Sequence, residues 1–313
     1  MNYYSLYDVW PKSDSEGVRF LTQFLQQFIN GISLGSIYAL IALGYTMVYG
    51  IIKLINFAHG DIYMLGAYIG YACITFLGLG FMPSLIISMV ACAVLGILIE
   101  KIAYKPLRNA TRIAVLITAI GVSLFLEYGT MAIVGPTTRA FPPIFSNTTF
   151  EIIDGVVINT TQIYILIVTF LLMVLLQYVV RRTKMGKAMR AVSTDQDAAR
   201  LMGINVDRTI SFTFAIGSAL AGAAGILVGI YYNSIEPLMG MVPGVKAFVA
   251  AVLGGIGVIP GAMLGGFSIG IIETFVSGYG SSLYKDAAAY AILILVLLIK
   301  PSGLLGKNIR EKV

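Results

Sequence analysis

Few residues in this 313-residue chain are equipped for chemistry, and those that are lie far apart. The single histidine, His59, stands two positions before Asp61, a spacing that suits a pH-sensitive pair or a solvated turn. Glu127 and Glu273 each fall inside a long apolar run. An acid at mid-bilayer costs about 2.5–3.5 kcal/mol on insertion scales, so it faces the bundle interior or water. Two uses fit such acids: a proton or substrate relay, or a structural pair with a donor. Cys73 and Cys92 lie in apolar runs and read as small buried hydrophobes, with no disulfide framework and no metal-ligand spacing. No G-x-x-x-x-G-K-S/T phosphate loop and no G-x-S-x-G elbow occur, and residues 254–261 lack the dinucleotide spacing. The chain therefore does not read as an enzyme, and no cofactor or metal is expected.

The richest polar stretch is residues 181–208, which carries seven Lys/Arg and three Asp between two apolar runs. Lys187, Arg190 and Ala191 begin an amphipathic helical pattern. Ser193, Thr194 and Asp195 offer N-caps, and residues 197–202 form helix readily. Gly203 is placed to end that helix in a left-handed cap. The pattern predicts two short helices whose apolar positions, Ala198, Leu201 and Met202, form a small patch that wants a partner.

The elements that hold these residues are membrane spans. The chain is 58% hydrophobic and 12% charged, with mean hydropathy +0.88, against about 25% charged in soluble domains. Apolar runs of roughly 17–25 residues separated by short polar breaks predict an all-α polytopic bundle of eight or nine segments. The alternating pattern of a β-barrel is absent. The expected spans are 21–50, 62–80, 83–103, 113–134, 161–180, 210–232, 246–259, 261–279 and 285–300. The last three are either short spans or one span plus a re-entrant pair. Fifteen of the 21 Lys/Arg lie in residues 100–112, 181–208 and 300–313. That clustering places those three segments on the cytoplasmic side and, by alternation, the N-terminus outside. The net charge of +6 is explained by topology; it does not point to nucleic acid, although a basic face also suits acidic membrane lipid. Lys246 opens a span and is expected to snorkel. Residues 1–20 read as a polar extension without signal-peptide features. The N-x-T patterns at Asn147 and Asn159 read as chance matches.

Three breaks interrupt the apolar pattern. Asn56-Phe57-Ala58-His59-Gly60-Asp61 is a polar hexapeptide. Residues 254–261, with Gly254, Gly255 and Gly257 before Pro260, cannot stay regular helix throughout. Residues 236–244 read as an outer loop. Irregular backbone at membrane depth survives only where protein or a water-filled cavity satisfies it, so the first two breaks are candidates for lining a pathway, or tight turns. Small residues every fourth position, as in Gly217, Ala221, Gly225 and Gly229, predict close helix packing.

Asp197-Ala198-Ala199-Arg200-Leu201-Met202-Gly203 resembles the E-A-A-x-x-x-G signature of bacterial ATP-binding-cassette importer permeases, with Asp197 in place of Glu. Residues 30–40, 44–50, 56–61, 202–208, 250–257 and 300–306 resemble the branched-chain amino-acid permease family, nearest its H-type membrane subunit. The resemblance runs from about residue 24 to the C-terminus. It implies a permease domain over 21–313, with 181–208 as the coupling loop, in the inner membrane of a bacterial cell. It further implies a homologous M-type second permease, two cytoplasmic ATPases and an extracytoplasmic amino-acid-binding protein as partners. On that resemblance Arg190, Asp197, Ala198, Ala199, Arg200 and Gly203 transmit ATP-driven closure. Asn56, Phe57, His59, Gly254, Gly255 and Gly257 lie near the substrate pathway. An ion-coupled secondary transporter using Glu127 and Glu273, a related importer of sugars or urea and amides, and a non-transport scaffold are the alternatives.

Overall fold

The computed structural model describes residues 16–306 apart from Asn109, Asn147 and Asp154. Most of the expected polar extension, the Asn147 pattern, and Lys307, Arg310 and Lys312 therefore lie outside the described residues. In lipid every backbone N–H and C=O must be satisfied within the chain, and the apolar runs meet that demand as helices. They are α1 (Glu16–Ile52), α2 (His59–Thr75), α3 (Phe81–Ile99), α4 (Arg112–Val134), α5 (Thr160–Arg182), α6 (Lys184–Thr194), α7 (Gln196–Leu201), α8 (Val206–Tyr232), α9 (Met241–Gly254), α10 (Ile259–Tyr279) and α11 (Lys285–Ile299). Among the described residues, seven helices are long and apolar enough to cross a membrane. The chain is a multi-pass α-helical membrane protein.

Glycine faces set the packing. Gly31, Gly35 and Ala39 on α1 meet α10 backbone at Ile271, Phe267 and Gly266. A Cβ on Gly35 would stand 2.8 Å from the Phe267 Cα. Helix α10 uses two faces, with Gly266 and Gly270 on α1 and Gly261 and Gly265 on α9. Helix α8 is the hub. Its Gly217 meets Gly44 of α1, Gly222 meets Gly66 of α2, and Ser218 meets Gly96 of α3. The apolar stretches of α1 and α8 are mostly buried, whereas those of α4 and α11 are mostly exposed to lipid or a partner.

The two ends of the bundle differ in charge. At one end Lys105 and Arg108 pair with Asp207, and Arg108 also pairs with Glu100. Helices α6 and α7 lie at this end, as does the loop after α11, whose Leu304 and Leu305 amides donate to the Leu253 and Gly254 carbonyls of α9. The opposite end carries β1 (Arg139–Ala140) paired with β4 (Ser234–Ile235), and the hairpin of β2 (Thr149–Ile153) and β3 (Val156–Asn159). Gln26 of α1 bonds Val157 there, in both directions. The helices alternate between the ends as the charge pattern predicts.

Two helices begin inside the bundle rather than at its ends. After Ile52 the chain turns through Lys53 (φ 56°) and re-enters, so that His59 starts α2 against Gly44 and near Gly217, close to the middle of α8. Helix α9 starts where Gly240 and Gly244 touch Gly60 of α2; a Cβ on Gly60 would lie 2.5 Å from the Gly240 oxygen. Residues 236–244 are thus not simply an outer loop, and the seventh segment starts at Met241 rather than 246. The physical reason is local. Pro243 is tolerated in a first helical turn, where its missing N–H goes unused, and Gly240 and Gly244 permit backbone contact. At 14 residues, α9 is about 21 Å long, short of a roughly 30 Å hydrocarbon core.

Candidate functional site

Where α2 and α9 begin, a cavity of about 230 Å3 opens between α1, α2, α4 and α9, lined by Tyr45, Phe57, Asp61, Glu127 and Phe248 among others. Asp61 lies in the first turn of α2, and its carboxylate accepts a 2.5 Å hydrogen bond from Ser123 on α4. Glu127, one turn beyond Ser123, faces the same space. Neither helix start carries a side-chain cap. Both turn their positive ends here, with the His59, Asp61 and Met241 amides already donating to carbonyls of the preceding residues.

The structure brings Asn56, Phe57 and His59 together at this re-entrant turn, in different roles. Phe57 lines the cavity, and its ring lies 6.3 Å from that of Phe248. Asn56 is buried, its Oδ1 accepting a 2.9 Å hydrogen bond from the Tyr104 hydroxyl. His59 is buried edge-on against Tyr45, ring centroids 4.7 Å apart, and the space it fills exists because residue 44 is glycine. It is no solvated turn histidine. Gly254, Gly255 and Gly257 stand elsewhere, at the basic end. Gly254 packs on Gly261, Gly255 (φ 104°) on Gly306, and Gly257 (φ 90°) lines a small cavity with Arg190 and Gly50.

A second charged site lines a cavity of about 360 Å3 toward the hairpin end. Lys246 Nζ stands 2.9 Å from Glu273 and 2.5 Å from Asp286, and Lys285 reaches Glu273 at 3.5 Å. The Tyr38 hydroxyl donates to Glu273 at 2.8 Å, and Lys246 lies 5.7 Å from the Tyr38 ring centroid. Lys246 is 2% exposed, so the expected snorkelling does not occur; a nearby carboxylate holds the ammonium inside more favourably than the distant interface. Glu273 is thereby a paired acid. Only sequence position marked these groups out. Their partners sit on other helices, so Tyr38, Lys285 and Asp286 gave no local signal.

At the basic end α6 and α7 form a capped platform. Thr183 caps α6 by accepting from the Gly186 amide at 3.0 Å. Asp195, alone of the three candidates, caps α7, its Oδ1 accepting from the Asp197 and Ala198 amides at 2.9 Å each. Ser193 and Thr194 instead donate back to the Arg190 carbonyl. Gly203 (φ 79°) closes α7: its amide donates to Arg200 and that of Ile204 to Ala199, the paired bonds of a Schellman motif. Ala199 faces inward while Leu201 and Met202 are 88% and 83% exposed. Asp197 and Arg200 form an exposed 3.1 Å pair, and Arg190 bonds the Val180 carbonyl near the end of α5.

Short helices starting at membrane depth, a charged cavity beside them and an apolar-tipped platform on the basic face define a multi-pass transport permease. The chain belongs to the family described as branched-chain amino acid transport system permease component, which it matches over residues 27–297. It is 46% identical over 301 residues to the high-affinity branched-chain amino acid transport system permease protein BraD of Pseudomonas aeruginosa, covering 93% of this chain and 98% of that protein. It is equally 46% identical over 308 residues to the permease protein LivH of Escherichia coli K12, with the same coverage. The probable branched-chain amino acid permease LivH of Methanocaldococcus jannaschii is 32% identical over 283 residues, 85% of this chain and 88% of that one.

Proposed function

We propose that this permease passes branched aliphatic amino acids inward, driven by ATP hydrolysed on partner subunits. It works in the inner membrane of a bacterial cell beside a homologous M-type permease, two cytoplasmic ATPases and an extracytoplasmic binding protein. The observation that carries the coupling role is the platform of α6 and α7. Its helices are fixed by three caps, yet Leu201 and Met202 at its tip are exposed to solvent, as a docking knob requires.

The platform is joined stiffly to the spans. Gly186 packs on the Val179 and Val180 carbonyls, Arg190 bonds Val180, and Asn205 caps α8 by accepting from the Arg208 amide at 2.9 Å. A push on α7 therefore reaches α5 through α6 and α8 through the Gly203 turn. Asp197, Ala198 and Arg200 present the face an ATPase groove would read, Ala199 anchors it from beneath, and Gly203 sets its angle. The chain has no nucleotide-binding motif of its own, which fits a recipient of another subunit's work.

Reconstituted complexes test this reading. Asp197→Arg and Gly203→Pro should abolish leucine uptake while the permease still inserts and assembles; normal uptake with normal substrate-stimulated ATP hydrolysis would overturn the coupling role. Asn56→Leu removes the partner of the Tyr104 hydroxyl and should alter uptake without changing ATPase assembly. Unchanged uptake kinetics would remove the re-entrant turn from the pathway.

A further inference from the structure

We propose that the cleft holding Asp61 and Glu127 is the station where the α-ammonium group of the amino acid is bound during passage. The inference rests on the importer reading above and assigns the charged end of its substrate to named groups. Four acidic side chains are buried among the described residues: Asp61, Glu100, Glu127 and Glu273. Glu100 has Arg108 as its cation, and Glu273 has Lys246 and Lys285. Asp61 and Glu127 have none among the described residues. Asp61 is held by Ser123 and by its own backbone amide and hydrogen-bonds Glu127, whereas Glu127, 8% exposed and facing the cavity, receives no donor from an alcohol, amide or cation of the described residues. Its polar neighbour is the Asp61 carboxylate. Two buried acids inside the bundle, sharing one cavity without a cation, are a site completed by a cation from outside.

The rest of the cavity selects which cation. Phe57, Phe248, Ile120 and Leu124 give it apolar walls suited to a branched aliphatic side chain. The uncapped starts of α2 and α9 meet at Gly60 and Gly240 on its rim. Their positive ends suit a carboxylate. At about 230 Å3 it lies below the roughly 300–1,000 Å3 of drug-sized pockets, and it suits a ligand of amino-acid size. A zwitterion carrying an apolar side chain matches all three surfaces. An inorganic cation would leave the apolar walls unused, and the described residues hold no cluster of three metal-binding side chains.

The test uses the full complex with its binding protein in liposomes, comparing wild type with Glu127→Gln, Glu127→Asp and Asp61→Asn. Glu127→Gln should lower leucine uptake by about tenfold or more, the loss of one charge-assisted hydrogen bond. The same change removes one of two adjoining buried acids that have no cation beside them, so the thermal stability of the purified complex should hold or rise. Glu127→Asp should recover part of the uptake, and Asp61→Asn should resemble Glu127→Gln in uptake. Unchanged uptake in both amide variants, or a fall in stability that parallels the fall in uptake, would overturn the site. Wild-type uptake driven by an imposed proton gradient without ATP would make the pair a proton relay and overturn it as well. A wild-type complex that hydrolyses ATP but moves no leucine would instead sink the importer reading, a separate result.

Discussion

At the scale of single residues, burial of charge divides the polar groups into paired and unpaired. Lys246 is the instructive case. Removing one partner of a buried pair leaves the other uncompensated, which costs about 3–5 kcal/mol in pairs that lose all their partners. Glu273 would keep Lys285 at 3.5 Å and Tyr38 at 2.8 Å, so Lys246→Met should cost less than that full amount. Adding Glu273→Gln should restore part of the stability, because the orphaned acid goes with it. Thermal aggregation of the solubilised permease reads both steps; a double variant less stable than Lys246→Met would show that the pair is not the relevant unit. The charges themselves were legible in the sequence, since Lys246, Glu127 and Glu273 interrupt apolar runs. Their fates were not. Lys246 and Glu273 are 27 residues apart, on helices that meet through tertiary packing such as that of Gly261 and Gly265 on α9.

At the scale of elements, helix ends and helix faces decide what moves and what does not. Gly203 adopts φ 79°, where a side chain costs about 1–2 kcal/mol, less for Asn than for other residues. Uptake should therefore fall in the order Gly203, Asn, Ala, Pro, while protease sensitivity of the α7 turn rises in the same order; equal uptake by all four would remove the cap from the mechanism. The faces obey a different rule. A Cβ on Gly66 would lie 2.5 Å from the Gly222 Cα, whereas one on Gly80 would meet nothing within 4 Å. Gly66→Ala should lower the yield of folded permease and Gly80→Ala should not, as size-exclusion profiles of the two would report. Repeats of small residues, the Gly203 stop and the existence of the long spans were readable, because each follows from local spacing, whereas the limits of the second and seventh spans were displaced. The start of α9 was not, because Gly240 and Gly244 sit at depth only through contact with Gly60, some 180 residues away. The same contact turned a stretch that reads as an outer loop into one wall of the cleft.

At the scale of the whole molecule, the fold places a capped, apolar-tipped platform at the basic end and a cleft of unpaired acids midway to the other. Work delivered at one must therefore be felt about half a membrane away, through α5, α8 and the α1 turn that carries Phe57. That arrangement has meaning only if the basic end faces the cytoplasm, where ATP is. The positive-inside rule predicts this, with the β2–β3 hairpin on the far side. Single cysteines test it directly. Phe150 in the hairpin is 52% exposed and Leu201 at the platform tip is 88% exposed, while the native Cys73 and Cys92 are buried and give little background. A membrane-impermeant maleimide should label Phe150→Cys, and not Leu201→Cys, in spheroplasts, and the order should reverse in inside-out vesicles. Labelling of both from one side would require α5, the one apolar helix between the two positions, not to cross, and would overturn this sidedness. Addition of the ATPase subunits should then protect Leu201→Cys from the reagent and leave Phe150→Cys unaffected, which joins the sidedness of the bundle to the docking role of its platform.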